Sequence, residues 1–151
     1  MSGFISIVFG VIITLSGSLI FAGSALAVGL DSGQLSPCPS SPNCVVSQNA
    51  DAEHEIDAIP YTSDRATAKQ TLLDVLSVVP RTEVIEKTNN YIRAESTSRI
   101  FKFVDDVEFY LPEDENVIHV RSASRVGESD LGVNRRRIEQ IRLAMADLGV
   151  N

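Results

Sequence analysis

The stretch FKFVDDVEFYL, residues 101–111, decides the fold. Every second residue from Phe101 to Leu111 is apolar, with Asp105 as the one exception: Phe101, Phe103, Asp105, Val107, Phe109 and Leu111. Successive side chains of a strand point to opposite faces of its sheet, so this alternation predicts a strand with one apolar and one polar face. Asp105 is then expected to face the core, where a carboxylate needs a partner such as Arg137 or Asn134.

Further strands are predicted around residues 56–60, 82–87, 91–96 and 117–123. The last of these alternates in the same way as the central strand. A register that pairs Phe109 with Val120 places Glu108 opposite Arg121, on the polar face of the sheet. That face is expected to be solvated and to carry exposed ion pairs.

Two helices are predicted to cover the apolar face. The first begins near Thr62 or Ser63, which are good N-cap residues, and Pro80 ends it. The second runs from Asn134, as N-cap, to Leu148. The order β-α-β-β-β-β-α predicts an α+β fold, with an antiparallel sheet of about four to five strands and two helices packed on one face.

The first thirty residues contain no charged side chain, and an apolar run extends from Phe4 to Phe21. Ala25 and Ala27 form an A-x-A site, so residues 1–27 are interpreted as a signal peptide. The run is also long enough to span a bilayer, and an uncleaved membrane anchor is the alternative. Either reading places the remaining chain outside the cytoplasm.

Residues 28–52 are rich in Ser, Pro, Gly and Asn and are predicted to be a linker, followed by one globular domain over residues 53–151. Cys38 and Cys44 lie in this linker, and in an oxidising compartment they are expected to form a disulfide. A metal site with His54 as third ligand is the weaker alternative, because its spacing is unlike that of structural zinc sites. No metal or other cofactor is expected.

The net charge of −7 disfavours nucleic-acid binding, which needs a basic surface to displace counterions. Membrane contact is expected only through the N-terminal segment, if that segment is retained. The partner is expected to be a protein or a small anionic ligand.

Basic residues are concentrated near the predicted start of the last helix, where the helix dipole repels cations. Internal ion pairs, a bound anion or a partner surface would each compensate. The candidate anion-binding or partner-binding residues are Arg121, Ser122, Ser124, Arg125, Asn134, Arg135 and Arg136. The candidate internal ion-pair network consists of Asp105, Asp106, Glu108 and Arg137.

Sequence motifs of known catalytic sites are absent: there is no G-x-S-x-G, H-E-x-x-H or P-loop pattern. No residue is therefore assigned a catalytic role. An enzyme with acid–base groups among Asp106, Glu108, His119 and Arg121 is kept as an alternative. A structural component of an envelope or lumen is the third interpretation.

Three separated segments carry a family resemblance: CPSSPNCVVSQ (38–48), YIRAESTSRIFKFVDDVEFYL (91–111) and IHVRSASRVGESDLGVNRRRIEQIR (118–142). Together they resemble the signature segments of DUF1499, a domain of unknown function. The resemblance implies a bacterial or plant protein behind an export signal, in the periplasm or, in a cyanobacterium, the thylakoid lumen. It assigns no roles to residues. The leading hypothesis is therefore an exported, non-enzymatic interaction or ligand-binding module.

Overall fold

The computed structural model describes residues 28–150 as two helices and eight strands. In chain order these are β1 (Leu30–Asp31), β2 (Gln34–Leu35), β3 (Cys44–Val46), β4 (Ile59–Pro60), α1 (Arg65–Val78), β5 (Thr82–Lys87), β6 (Tyr91–Thr97), β7 (Val104–Tyr110), β8 (Val117–Ser124) and α2 (Val133–Asp147). The α+β class and the two helices agree with the sequence prediction. The strands are more numerous than predicted.

An antiparallel sheet of six strands forms the centre of the fold. Its order is β3-β8-β7-β6-β5, and the short β4 pairs with the other end of β8. The predicted register is confirmed, since Phe109 lies opposite Val120 and Glu108 lies opposite Arg121. The alternation along β7 and β8 therefore assigns their faces correctly.

Both helices pack on the apolar face, where Val107, Phe109 and Val120 are completely buried. The cap of α1 differs from the prediction: Asp64 is the N-cap, and its carboxylate accepts from the Thr67 amide at 2.9 Å. Asp serves here as well as Thr or Ser, because any short side chain with an oxygen acceptor can satisfy the first amides.

The start of α2 also differs from the prediction. Gly132, with a φ of 75°, is the N-cap, and Asn134 lies inside the first turn and is completely buried. Asp130 satisfies the end of the helix instead, since its carboxylate accepts from the amides of Gly132 at 2.8 Å and Asn134 at 2.7 Å. This arrangement leaves the Asn134 side chain available for contacts with the sheet.

Phe101 and Phe103 do not face the core, and this part of the prediction is wrong. They lie before β7, are 72% and 49% exposed, and stack on each other with ring centroids 5.5 Å apart. The reason is the turn that joins β6 to β7. Ser98 donates its amide to the Phe103 carbonyl at 2.8 Å, so the chain reverses before these phenylalanines can pair with a neighbouring strand.

The segment predicted as a linker forms part of the fold. β3 is completely buried and pairs with β8, with Cys44 opposite Ala123. The hairpin of β1 and β2 packs through Leu35 against Val46 and Tyr91. Residues 28–46 therefore cover much of the face that was expected to be open to solvent.

The predicted leader lies outside the described residues. Within residues 28–150, neither helix has the length and the apolar composition that a membrane crossing requires.

The disulfide between Cys38 and Cys44 is confirmed, with a Cα–Cα distance of 5.6 Å. It closes the loop that leads into β3. His54 fastens the other side of this loop, because its ring nitrogens lie 2.8 Å from the Asp51 carboxylate and 3.1 Å from the Ser41 carbonyl. This contact gives His54 a structural role in place of the metal-ligand alternative.

Replacing both cysteines by serine is expected to lower the free energy of unfolding by about 2 kcal/mol, because the unfolded chain regains the entropy of a short open loop. Urea denaturation of the variant and of the oxidised protein measures this difference. Reduction of the unsubstituted protein should give a similar loss. A difference below about 0.5 kcal/mol would show that the disulfide does not constrain the unfolded state.

Candidate functional site

A polar cluster on the helix side of the sheet joins α2 to β7 and β8. Arg137 donates to Asp105 at 2.5 Å and to Ser122 at 2.9 Å. Asn134 accepts from Ser122 at 2.6 Å and donates to Ser124 at 3.0 Å. Asp105, predicted to face the core and to need a partner, lies there with Arg137 as that partner. The cluster satisfies its own donors and acceptors, so its role is to fix the helix on the sheet.

An ion pair between Glu108 and Arg121 lies on the opposite face. The two side chains are 2.7 Å apart and almost completely buried, with 0% and 1% of their side-chain surface exposed. Glu108 also accepts from the Tyr91 hydroxyl at 2.8 Å and from the Gly29 amide at 2.7 Å. Burial, and then the neighbouring Glu108 carboxylate, raise the pKa of Tyr91, so that it remains a neutral donor. The solvated face predicted for these residues is therefore wrong.

Beside this pair lies a second ionic cluster that is partly open to solvent. Arg125 donates to both carboxylate oxygens of Asp106 at 2.8 Å and also contacts Glu95. Arg93 lies 3.3 Å from Asp106 and 3.6 Å from Glu95. Burial alone raises the pKa of Asp106, but Arg125 and Arg93 outweigh it and the pKa is lowered. Arg93 also lies 3.8 Å from Glu86, so three carboxylates face two cations and the cluster has no positive charge left for an anionic ligand.

The candidate anion-binding residues are not gathered at one place. Arg121 and Ser122 are neighbours on β8 and point to opposite faces, which the alternation of a strand requires. Arg135 donates to the carbonyls of Glu55 at 2.7 Å and Glu53 at 3.1 Å, away from the other arginines. The seven candidate residues therefore lie in five different surroundings, and of these residues only Arg136, together with Arg137 of the ion-pair set, lines the groove described below.

The residues of the enzyme alternative do not form an accessible site. Asp106, Glu108 and Arg121 are buried and ion-paired. His119 stacks on Tyr110 with ring centroids 6.1 Å apart, and burial, opposed by Glu115, lowers the pKa of its imidazole.

Ser47 lies beside His119, although the two residues are 72 positions apart in the sequence. Its hydroxyl is 3.3 Å from His119 Nδ1 and accepts from the Val120 amide at 2.9 Å. On the other side of the imidazole, Glu115 is 3.9 Å away, too far for the hydrogen bond that orients the base of a triad. The Ser47 amide is used by the Val120 carbonyl. These contacts are typical of a structural serine that fastens the strand edge.

A groove lies between the C-terminal end of α1 and the N-terminal end of α2. Its volume is about 310 Å³, and its lining residues are Val79, Pro80, Arg81, Ser96, Val133, Arg136, Arg137 and Gln140. Three of these eight are arginines and none is acidic. Sequence reasoning missed Arg81, because its place at the groove depends on a left-handed backbone, with a φ of 57°, directly after Pro80.

An apolar cleft of about 100 Å³ continues from this groove between the two helices. It shares Val79, Arg137 and Gln140 with the groove and is otherwise lined by Val75, Val78, Ile141 and Ala144. The arginine groove and the apolar cleft together form a surface with a basic end and an apolar end. This shape suits an anion that carries a short hydrocarbon or aromatic group.

A comparison with known protein families gives one match. A family described as a protein of unknown function, DUF1499, matches residues 34–145, which extend from β2 to the last turns of α2. No curated protein matches the chain.

Substituting Arg121 by Met is expected to lower the free energy of unfolding by about 3–5 kcal/mol, because Glu108 would remain buried without its cation. Combining Arg121→Met with Glu108→Leu should recover a large part of the loss. Urea denaturation of both single variants and of the double variant measures the coupling. A loss below about 1 kcal/mol for Arg121→Met would contradict the structural role of the pair.

Asp106→Asn is expected to lower stability at pH 7 by about 1.5–3 kcal/mol, since hydrogen bonds to a charged group are lost. The pKa of Asp106 is lower in the folded protein than in the unfolded chain, where it is about 3.9. Its contribution is therefore complete above that value and is lost as the pH falls through the folded pKa. The variant should show a smaller fall in stability between about pH 4 and pH 2 than the unsubstituted protein. If the stability of the variant and that of the unsubstituted protein fall equally between these pH values, Asp106 is not the group that titrates with a lowered pKa.

Proposed function

The chain belongs to the DUF1499 family, whose description assigns no activity, and we propose that it is an exported, non-enzymatic module that binds a small amphipathic anion. The binding site is the arginine groove together with the apolar cleft that continues from it. The observation that carries the proposal is the charge of the groove. In a chain with 20 acidic and 13 basic residues, no carboxylate lines the groove, and two of its three arginines, Arg81 and Arg136, are without an ion-pair partner among residues 28–150.

The groove arginines are held in place and retain donors for a ligand. Arg81 Nε donates to the Thr97 carbonyl at 3.1 Å, and Arg136 Nη1 donates to the Leu131 carbonyl at 2.7 Å. Each guanidinium has five N–H groups, so most of its donors remain available. Within residues 28–150, neither Arg81 nor Arg136 is ion-paired with a carboxylate. Arg137 is neutralised by Asp105, so its part is to form the wall between the groove and the cleft.

Fixed guanidinium groups are well suited to a carboxylate, sulfonate or phosphate, because their N–H groups can bind two oxygens at once. The adjoining cleft favours an anion with an apolar part over a free inorganic ion. Its volume of about 100 Å³ accommodates only a few carbon atoms. The proposed ligand class is therefore a small organic anion with a short aliphatic or aromatic group.

Two other observations favour binding over catalysis and export over a cytoplasmic role. Asp106, Glu108 and Arg121 of the enzyme alternative are buried in ion pairs, and His119 stacks on Tyr110, so these four groups do not face one common cavity. The disulfide suits an oxidising compartment outside the cytoplasm.

The proposal is tested with benzenesulfonate, whose sulfonate and single phenyl ring match the two parts of the site. Replacing Arg81 and Arg136 together by Gln should weaken its binding at least about tenfold, because two charge-assisted contacts are lost. Isothermal titration calorimetry measures the dissociation constant. Butyrate is expected to compete with benzenesulfonate in the unsubstituted protein and not in the variant.

Lys87→Gln is the matched control, because Lys87 is an exposed cation at the far end of β5 and does not line the groove. It should leave benzenesulfonate binding unchanged. All three proteins should unfold within about 0.5 kcal/mol of one another, since these are surface side chains. Equal affinity of the Arg81/Arg136 variant and the control would refute the groove as the binding site.

A further inference from the structure

Exposed apolar side chains are concentrated at one end of the molecule. Among the described residues, six of the eleven exposed large hydrophobic side chains lie where β6 and β8 end and β7 begins: Ile100, Phe101, Phe103, Val126, Leu131 and Val133. We call this end, formed by residues 98–103 and 125–133, the loop tip. Scattered exposed apolar residues are normal on a protein surface, whereas a concentrated set indicates a contact surface.

The first half of the loop tip is a closed turn. Ser98 and Phe103 bond to each other twice: the Ser98 amide donates to the Phe103 carbonyl at 2.8 Å, and the Phe103 amide donates to the Ser98 hydroxyl at 2.9 Å. Ile100 and Phe101, at the summit of the turn, are 77% and 72% exposed. The turn is therefore built to project apolar side chains away from the sheet.

The second half lies beside it and is fixed by contacts with the sheet and the disulfide loop. The Arg125 amide donates to the Val104 carbonyl at 3.1 Å, and the Asn43 side chain donates to the Gly127 carbonyl at 2.5 Å. Val126 and Leu131 are 53% and 84% exposed. Both halves thus present apolar side chains from the same end of the fold.

We propose that the loop tip docks on the surface of a lipid bilayer, with its apolar side chains entering the boundary between headgroups and acyl chains. The sequence RIFKF, residues 99–103, alternates two cations with an aliphatic and two aromatic side chains and contains no acid. Aromatic and aliphatic groups flanked by Arg and Lys are the pattern that membrane interfaces select. The apolar groups enter the interface while Arg99 and Lys102 meet lipid phosphates.

The chain upstream of the described residues favours a bilayer over a protein as the occupant. The apolar run ends at Phe21, and only seven residues separate it from Gly29, whose amide is bonded to Glu108. Seven residues span at most about 25 Å. With the run in a bilayer, the domain stays within that distance of the lipid surface. With the run removed, the loop tip supplies a reversible contact of its own.

The distribution of charge orients the domain on such a surface. The loop tip contains three basic and two acidic side chains, whereas the rest of the sequence contains ten basic and 18 acidic ones, and both cations of the turn at residues 98–103 lie without an acid in that turn. Near anionic lipids, the acidic body is repelled and the basic turn is attracted. The loop tip then points toward the membrane.

The absence of tryptophan from the sequence permits a direct test. Phe101→Trp places a single fluorescent reporter at the loop tip, and Leu148→Trp places one just beyond the C-terminal end of α2, at the opposite end of the molecule. Leu148 is 61% exposed, so the two sites are matched in solvent exposure. The full chain of each variant is reconstituted into vesicles of phosphatidylcholine and phosphatidylglycerol, with and without bromine on the acyl chains.

The Phe101→Trp emission is expected to move to shorter wavelength and to lose at least about half of its intensity with brominated lipid, while the Leu148→Trp emission changes in neither respect. Water-exposed emission from both variants, or equal quenching of both, would overturn the proposal. A short-wavelength Phe101→Trp emission that bromine does not quench would mean that protein covers the loop tip, and would overturn it as well. Neither substitution lies in the arginine groove, so this outcome is independent of ligand binding.

Discussion

The ion pair between Glu108 and Arg121 is the constraint on which the rest of the structure depends. Two charged side chains on neighbouring strands are removed from water, which costs several kcal/mol unless each is paired and hydrogen-bonded. Tyr91 and the Gly29 amide complete the bonding of the carboxylate. One of these donors lies in the sheet and the other in the segment before β1. The segment must therefore fold over the sheet for the Glu108 carboxylate to be satisfied, and this contact ties the residues before β1 to the core. Among the described residues, Arg121 Nε has no partner.

This arrangement leaves little of the sheet open to solvent apart from β5 and the neighbouring cluster of Arg93 and Arg125. Helices cover the apolar side, the hairpin and the disulfide loop cover much of the polar side, and Asp106 and Arg125 neutralise each other at its margin. Charged residues that look available in the sequence are thus used to hold the layers together. The two surfaces proposed to bind a partner lie at one end of the domain, where α1 ends, α2 begins and the turns at residues 98–103 and 125–133 project. The arginine groove and the loop tip both lie there.

Strands with clear alternation of apolar and polar residues could be predicted from the sequence. Short strands, and side chains whose position depends on distant contacts, could not. The pattern of β7 and β8 predicted their faces and register because apolar and polar side chains alternate along both strands. β3 has only three residues, all buried, so it shows no alternation, and its place at the edge of β8 results from pairing across more than seventy residues. The same alternation also predicts that Arg121 and Ser122, as neighbours on one strand, point to opposite faces of the sheet. The groove depends on Arg81 in a left-handed conformation, for which no local signal exists.

The start of α2 explains why cations collect at this end despite the helix dipole. Each positive side chain there lowers the stability of the helix by a few tenths of a kcal/mol unless another interaction offsets its repulsion by the dipole. Three different offsets are present: Arg135 binds two backbone carbonyls, Arg137 binds Asp105, and Arg136 binds only the Leu131 carbonyl. Arg136 is thus the least compensated of the three, and it faces the groove beside Arg81. An anion at that position would supply the missing negative charge, and the helix end would be stabilised together with the arginine. The positive charge at this helix end and the charge of the proposed ligand are therefore complementary.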